Sequence, residues 1–326
     1  MKALLTHLAD FPANGRFHTW QIQQIEGGAN NKLYRATNDE QDLAQDWVVK
    51  FTIRDQRRRA WREYHALLAL HKAGLMLAPQ PLLLDETSFS QPVVVQTWVD
   101  GEVTAVPPRT DAEWEALVQH YIAIHQLTPD KSAVELQPAV LNFNGTESAF
   151  RQIEAQITAV PADHSPPILN KLCHHLMAMA PSLPPASSLA LCRVDPNSLN
   201  FVRRSPRWLS VDWENSGWGD PTCELADLLA HPKYLNVAAE RQAWVLRRYG
   251  ELCGMETAVQ RSQLYYTFHL VWWVARASRM LYETPRDLDQ RLAPPAPGWK
   301  QHLERLLQRY IELAETAVFQ NHHFSI

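Results

Sequence analysis

Cys192-Arg193-Val194-Asp195-Pro196-Asn197-Ser198-Leu199-Asn200-Phe201, followed by Leu209-Ser210-Val211-Asp212-Trp213-Glu214, is the stretch on which the reading of this chain turns. It holds D-x-x-x-x-N, then a β turn, then a short strand that ends in an aspartate. Phosphoryl transfer needs an acceptor near the substrate hydroxyl and oxygen ligands for Mg²⁺. Asp195 suits the first task, as the group that accepts or orients the hydroxyl proton. Asn200, across the loop, can place its carbonyl oxygen on the metal. Asp212, at the end of the next strand, can bridge metal and phosphates, and magnesium completes its shell with phosphate and water. Taken singly these are weak signals, because Asp before Pro and Asn in a loop are ordinary turn residues. Taken in order they favour chemistry over turns.

The first hundred residues supply independent support. Trp47-Val48-Val49-Lys50 sets a lysine inside an apolar strand, and burying an ammonium is costly unless it is paired. Glu63, on the helix expected next, is a suitable partner. A strand lysine paired to a helix glutamate, with the lysine also reaching the α/β-phosphates, is the arrangement of kinases. Gly27-Gly28-Ala29-Asn30-Asn31 falls between the first two strands. It reads either as an ordinary hairpin turn or as a loop whose backbone N–H groups, at Gly28, Asn30 and Asn31, cover phosphates.

Working outward, Thr19 to Ile25 and Lys32 to Thr37 read as a hairpin, and Trp47 to Ile53 as a third strand. Arg54 to Ala73 reads as a helix, and Leu82 to Leu84 and Val93 to Trp98 as two more strands. Past Gly101 the pattern turns helical: a helix N-capped by Asp111 and running to about Leu127, then 146–158, 166–179 and most of the remainder. The expected fold is therefore α+β with two lobes. Residues 1–98 form a small strand-rich nucleotide-binding lobe, and 99–326 a larger, mostly helical catalytic and substrate lobe. The hinge is expected near 96–101. The run Arg57-Arg58-Arg59, with Arg54 and Arg62, reads as a solvated helix face.

Composition bounds the rest. With 326 residues, 46% hydrophobic and 20% charged, the chain can bury a sizeable core. Its net charge of −4 argues against nucleic acid as a partner and tolerates a cationic substrate. No apolar run is long enough to span a membrane. Four widely spaced cysteines without C-x-x-C suit free thiols in the cytoplasm. Cys173-His174-His175 lacks a completing ligand set, so its histidines read as helix surface.

These pieces resemble the aminoglycoside phosphotransferase/choline kinase superfamily. That family carries H-G-D-x-x-x-x-N and then I-D-W-E-x-x-x-x-G-D-P-x-x-D-L-A. Here the second part runs from Val211-Asp212-Trp213-Glu214 to Gly219-Asp220-Pro221-Thr222-Cys223-Glu224-Leu225-Ala226. Gly27 to Tyr34 is similar to the choline kinase G-G-x-x-N-x-x-Y loop. The resemblance implies a protein-kinase-like fold, ATP and Mg²⁺ between the lobes, and backbone at Gln96 to Trp98 against the adenine. Arg193 and Val194 stand where the family has His and Gly, and Arg193 is expected to brace the loop through a carboxylate. Asp220-Pro221 reads as a helix cap rather than as chemistry.

The implied activity is transfer of the γ-phosphate of ATP to a hydroxyl of a small molecule, an amino alcohol or an aminoglycoside-like compound. The fold does not choose among the family's acceptors. Tyr265, His269, Trp272 and Arg276 form the more polar stripe of a late helix, so Trp272 and His269 are the candidate substrate residues there, with Glu214 either attracting an amine or merely lining the cleft. Trp272 and Trp273 point about 100° apart, so both should not face one pocket; Trp273 falls in the core stripe. The Arg193-Val194 departure also motivates a second reading, a catalytically silent nucleotide-binding protein. A protein kinase is the weakest reading, since no A-P-E-like segment follows Asp212.

Overall fold

The computed structural model describes residues 1–25, 30–38, 46–179, 183–205, 207–289 and 291–320. Its N-terminal part contains helix α1 (Lys2–Leu8) and strands β1 (Gly15–Phe17), β2 (Trp20–Ile25), β3 (Asn31–Asn38) and β4 (Trp47–Thr52). Helix α2 (Arg59–Lys72) and strands β5 (Pro81–Asp85) and β6 (Val93–Thr97) follow. The strands form one antiparallel sheet in the order β1-β2-β3-β4-β6-β5. The central strands β4 and β6 are the most apolar and the most buried, as strands covered on both faces must be.

Alternation along β4 decides where its lysine goes. Val49 and Phe51 face a core with Leu4, Leu5 and Leu8 of α1, a helix that the sequence reading did not anticipate. Lys50 therefore faces the opposite side, towards α2. That helix starts at Arg59, not at Arg54, because Arg58 adopts a left-handed backbone conformation (φ 54°) that interrupts any earlier turn. Its apolar side, with Ala66, Leu67 and Leu70, packs on Ile124, Leu127, Leu191 and Trp213 of the later part of the chain. One helix thus carries Glu63 and ties the sheet to the helical part.

Helices α3 (Asp111–His125), α4 (Thr146–Ile157) and α5 (Pro167–Met179) come next. The N-cap of α3 is Thr110, one residue before the expected Asp111. Glu113 N–H donates to the Thr110 hydroxyl (3.2 Å), and Thr110 N–H donates back to Glu113 (2.9 Å), a capping box. Then β7 (Ala190–Cys192), β8 (Phe201–Val202), β9 (Leu209–Ser210) and β10 (Gly217–Gly219) form two small ladders, β7 with β10 and β8 with β9. Gly217 is needed there, because a Cβ at that position would sit 2.1 Å from the Gln137 carbonyl oxygen.

The chain ends in α6 (Pro221–Ala230), α7 (Ala239–Cys253), α8 (Ala258–Glu283) and α9 (Trp299–Glu315). Asp220 caps α6: its carboxylate accepts from Thr222 N–H (2.9 Å), with Pro221 at the first helical position. Helix α8 runs through the main helical core, with Phe143, Leu172, Cys223 and Tyr310 packed around it. The architecture is the expected α+β type, an antiparallel sheet followed by a larger helical part. Among the described residues no helix is long and apolar enough to cross a membrane.

Candidate active site

The two small ladders hold the loops that carry Asp195 and Asp212. Val194 (φ 60°), Asp195 (φ 62°) and Asp212 (φ 63°) are all left-handed, a conformation that costs an L-residue about 1–2 kcal/mol and is least suited to β-branched side chains. The surroundings hold it in place. Val194 N–H donates to Glu224 (2.7 Å). Arg193 is buried and donates to the Asp195 carbonyl (2.7 Å) and to the Val211 carbonyl (3.3 Å). Its guanidinium also stands 4.8 Å over the Phe201 ring. So Arg193 does brace the loop, but through two main-chain carbonyls and not through the expected carboxylate.

The strain makes a prediction at Val194, which is 3% exposed. At an ordinary site glycine is less stable than alanine by about 0.5–1 kcal/mol. At φ 60° relief of about 1–2 kcal/mol offsets that. Val194→Gly is therefore expected to unfold in urea at the same concentration as Val194→Ala, or at a higher one.

Glu224, in the first turn of α6, ties that helix to the Asp195 loop. It is buried, with one oxygen on Val194 N–H and the other 2.7 Å from His125 Nε2. The second ring nitrogen of His125 meets the Tyr249 hydroxyl at 2.9 Å. Burial pushes the Glu224 carboxyl up, but His125 and the Val194 N–H outweigh it and hold it low.

Asp195 and Asn200 lie together. Asn200 Nδ2 is 3.4 Å from both the main-chain oxygen and the carboxylate of Asp195. Val211 N–H donates to the Asn200 carbonyl at 2.9 Å, which brings Asn200 beside the loop of Asp212. The Asp195 side chain keeps about a third of its surface exposed (35%). Burial of its surroundings raises its carboxyl pKa, with Arg193 opposing. Asn200 and Asp212 offer the hard oxygen donors that magnesium takes, and the Asp212 side chain remains 28% exposed. These residues fit the ion.

The lysine of β4 completes the cluster. Lys50 Nζ is 2.7 Å from Glu63 Oε2, is in direct contact with Asp212 Oδ1 and lies 3.4 Å from Glu214 Oε2. Burial pulls the lysine pKa down, but Asp212, Glu63 and Glu214 overcome it and hold it well above the usual value. Glu63 is fully buried and pushed up to about 7, mainly by burial. Glu214 is held at about 2: burial opposes ionisation, while Lys50 and Arg59 win.

Glu214 is a correction to the sequence reading. It does not face an acceptor amine but is buried, accepting from Asn31 Nδ2 (2.8 Å) and paired with Arg59. Asn31 thereby joins the site. The solvated-face reading of the arginine run also fails in part. Arg59 is 5% exposed and bridges Glu214 and Asp55. Arg62 donates to the Arg57, Pro138 and Ser216 carbonyls. Arg59 stands four residues before Glu63, on the same helix face, and that spacing was the available signal.

Of the other expected nucleotide residues, Gly28 lies outside the described residues. The Asn30 carbonyl accepts from Ile53 N–H (3.0 Å). Gln96 is buried, and its Oε1 has no partner among the described residues. Trp98 N–H donates to the Asp46 carbonyl (2.8 Å), so in this conformation it is not free for an adenine ring. The Trp98 indole donates to Asp100 (2.7 Å) under the Arg35 guanidinium.

A cavity of about 960 Å³ opens beside Asp195, between α8 and the segment around Pro294 to Leu306. His269, Trp272 and Arg276 line it, as their shared stripe predicts. Trp273 lines it as well, which overturns the expectation that adjacent tryptophans could not share one pocket. The cavity is wide enough to take in both directions. Trp273 stacks on Tyr310 of α9 (5.3 Å, 5°) and meets Trp272 edge-on at 5.2 Å. His269 sits in the wall, stacked on Phe143 at 4.3 Å, and burial brings its pKa to about 3, so it is neutral.

A family model, the phosphotransferase enzyme family, matches residues 21–261. The chain belongs to this family. No curated protein matches it. Among solved structures this phosphotransferase is similar to a choline/ethanolamine kinase family protein from Mesorhizobium loti, with 20% identity, 90% of this chain and 92% of that one covered, and a TM-score of 0.56. A spectinomycin phosphotransferase in complex with ADP and spectinomycin shares 11% identity, 97% and 98% coverage and a TM-score of 0.62. A choline kinase from Cryptosporidium parvum Iowa II shares 10% identity, 99% and 97% coverage and a TM-score of 0.62. At these identities the likeness concerns the fold. The neighbours have the protein-kinase-like architecture of aminoglycoside phosphotransferases and choline kinases.

Proposed function

We propose that this phosphotransferase is a cytoplasmic kinase that moves the γ-phosphate of Mg-ATP onto a hydroxyl of a small molecule. The observation that carries the reading is Lys50 of the sheet meeting Glu63 of α2 and Asp212 of the later part of the chain at one point, with Asp195 and Asn200 on the adjoining loop. Residues 1–98 act as the nucleotide lobe and 99–326 as the catalytic and acceptor lobe, with the hinge near 96–101.

Asn200 and Asp212 would hold Mg²⁺, which would neutralise charge on the transferring phosphates. Lys50, fixed by Glu63, orients the nucleotide phosphates. Asp195 accepts a hydrogen bond from the acceptor hydroxyl, aims its oxygen at the γ-phosphorus and takes the proton as the new O–P bond forms and the bond from the γ-phosphorus to the bridging oxygen breaks, releasing ADP. Glu224 and Arg193 keep the Asp195 loop in its left-handed shape. No observation favours the silent nucleotide-binding alternative, since Arg193 and Val194 leave the loop held by buried contacts.

ADP release measured over a panel of hydroxylated compounds tests this. Turnover of at least one compound should stop when divalent cations are chelated. Lys50→Met should raise the KM for ATP by roughly tenfold or more, the scale of a lost charge-assisted contact. Turnover that survives chelation, or a Lys50→Met enzyme with wild-type KM, rules the assignment out.

A further inference from the structure

Arg276 is a charged group in the acceptor cavity to which the described residues give no direct partner. It is partly buried on α8, one helical turn beyond Trp272, and it lines the cavity that Asp195 opens into. Among the described residues it has no hydrogen-bond or ion-pair partner. Its cationic neighbours differ: Arg279 is bound to Glu283 (2.7 Å) and Arg291 to Asp289 (2.6 Å). Keeping a guanidinium out of bulk water with no partner is costly, and its planar donor fork matches carboxylate and phosphate oxygens.

Resting on the kinase reading above, we infer that the acceptor is a hydroxylated anion, whose carboxylate or phosphate group docks on Arg276 while its hydroxyl reaches Asp195. Arg57, from the segment before α2, also has no side-chain hydrogen-bond or ion-pair partner among the described residues and adds positive charge felt at Arg276. Burial, Arg279 and Arg57 bring the Arg276 pKa down to about 10 against the weaker opposing pull of Glu283 and Asp289, which are themselves bound to Arg279 and Arg291, so it stays charged at neutral pH.

The other carboxylate in the cavity wall does not supply the missing charge. Asp227 is 9% exposed, and burial, with Asp195 and Glu224 nearby, raises its pKa well above the usual range. Lys233 adds a further cation at the exposed rim. Trp272, Trp273 and Trp299 offer faces on which a cation can stack, but a cationic acceptor would share the cavity with an unneutralised guanidinium.

The ATP phosphates are a different oxyanion and belong elsewhere. Lys50, Glu63 and Asp212 do not line this cavity, whereas Arg276 shares it with Asp195, His269 and Trp273. The guanidinium is thus on the acceptor side of Asp195.

The test uses the full chain with Mg-ATP. The probes are glycerate and gluconate as carboxylates, glycerol 3-phosphate as a phosphate monoester, glycerol and glucose as neutral polyols, and choline and ethanolamine as cations. Thermal shift and ADP release are read for wild type, Arg276→Gln and Arg276→Lys. The expected result is binding or turnover in one of the two anionic arms. The responding arm separates carboxylate from phosphate recognition. Arg276→Gln should weaken that response by roughly tenfold to a hundredfold, the scale of a charged hydrogen-bonded contact. Arg276→Lys should restore part of it, and the KM for ATP should not change.

Preference for choline, ethanolamine or the neutral polyols overturns the proposal. So does failure of all three anions, or an anionic response that Arg276→Gln leaves intact. Failure to bind Mg-AMP-PNP is a separate outcome, and it strikes the kinase reading itself.

Discussion

Replacing Asp195 by asparagine is expected to lower kcat by about a hundredfold to ten-thousandfold, the usual weight of a positioned general base, while AMP-PNP still binds with wild-type affinity. The separation follows from how the loop is held. The main-chain oxygen of Asp195 accepts from Arg193, and Val194 N–H is fixed by Glu224, so the asparagine keeps its backbone in place. Only the ability to accept the hydroxyl proton is lost. The pH profile of wild-type kcat/KM gives a second check. The Asp195 carboxyl is raised above the ordinary aspartate value, chiefly by burial, and it works as a base only when ionised. Activity should therefore fall on acidification through a pKa higher than that of a free aspartate. Single-turnover measurement of phosphate transfer separates this step from product release. A variant with wild-type kcat removes Asp195 from the chemistry.

Glu214→Gln is expected to be the most destabilising of the conservative changes at the site, by about 3 kcal/mol at neutral pH. The magnitude follows from a carboxyl held at about 2 against an unfolded value of about 4.3. It agrees with the lower end of the cost of breaking a buried ion pair. Asp55 remains for Arg59, and Glu63 and Asp212 remain for Lys50, which is why the upper end is not reached. The pH dependence carries the sign. A depressed carboxyl contributes its stability above the unfolded pKa and loses it as pH falls through the folded one. The gap between wild type and variant in urea unfolding should be full near neutrality, narrow below about pH 4.3 and close towards pH 2. A gap that stays constant over that range would show that Glu214 acts through packing and not through its charge.

Much of the fold was legible because its signals are local. Alternation pointed to β2 and β3, and a short apolar run carrying one lysine pointed to β4. The meeting of Lys50 with Glu63 was readable because an unpaired ammonium in a strand demands a carboxylate. Other features depend on distant groups and left little local trace. Arg58 turns left-handed and delays α2, and no residue type there requires it. Glu224 looks like a first-turn carboxylate, and only the return of β7 beside α6 sets the Val194 N–H against it. Glu214 followed the motif closely enough to be noticed, but its partners Arg59 and Asn31 lie in other elements. For the two tryptophans, sequence offers the helical angle alone. The breadth of the cavity, set by the Pro-rich segment opposite, makes that angle less restrictive.

The guanidinium that spans the Asp195 and Val211 carbonyls has a bearing on working range. A histidine at that point would change its protonation between mild acid and neutrality, and the fastening between the two loops would change with it. Arginine does not titrate in proteins, so here this one fastening between the two loops is indifferent to acidity. What acid sensitivity the loop keeps then rests on the Glu224 carboxylate that accepts from Val194 N–H.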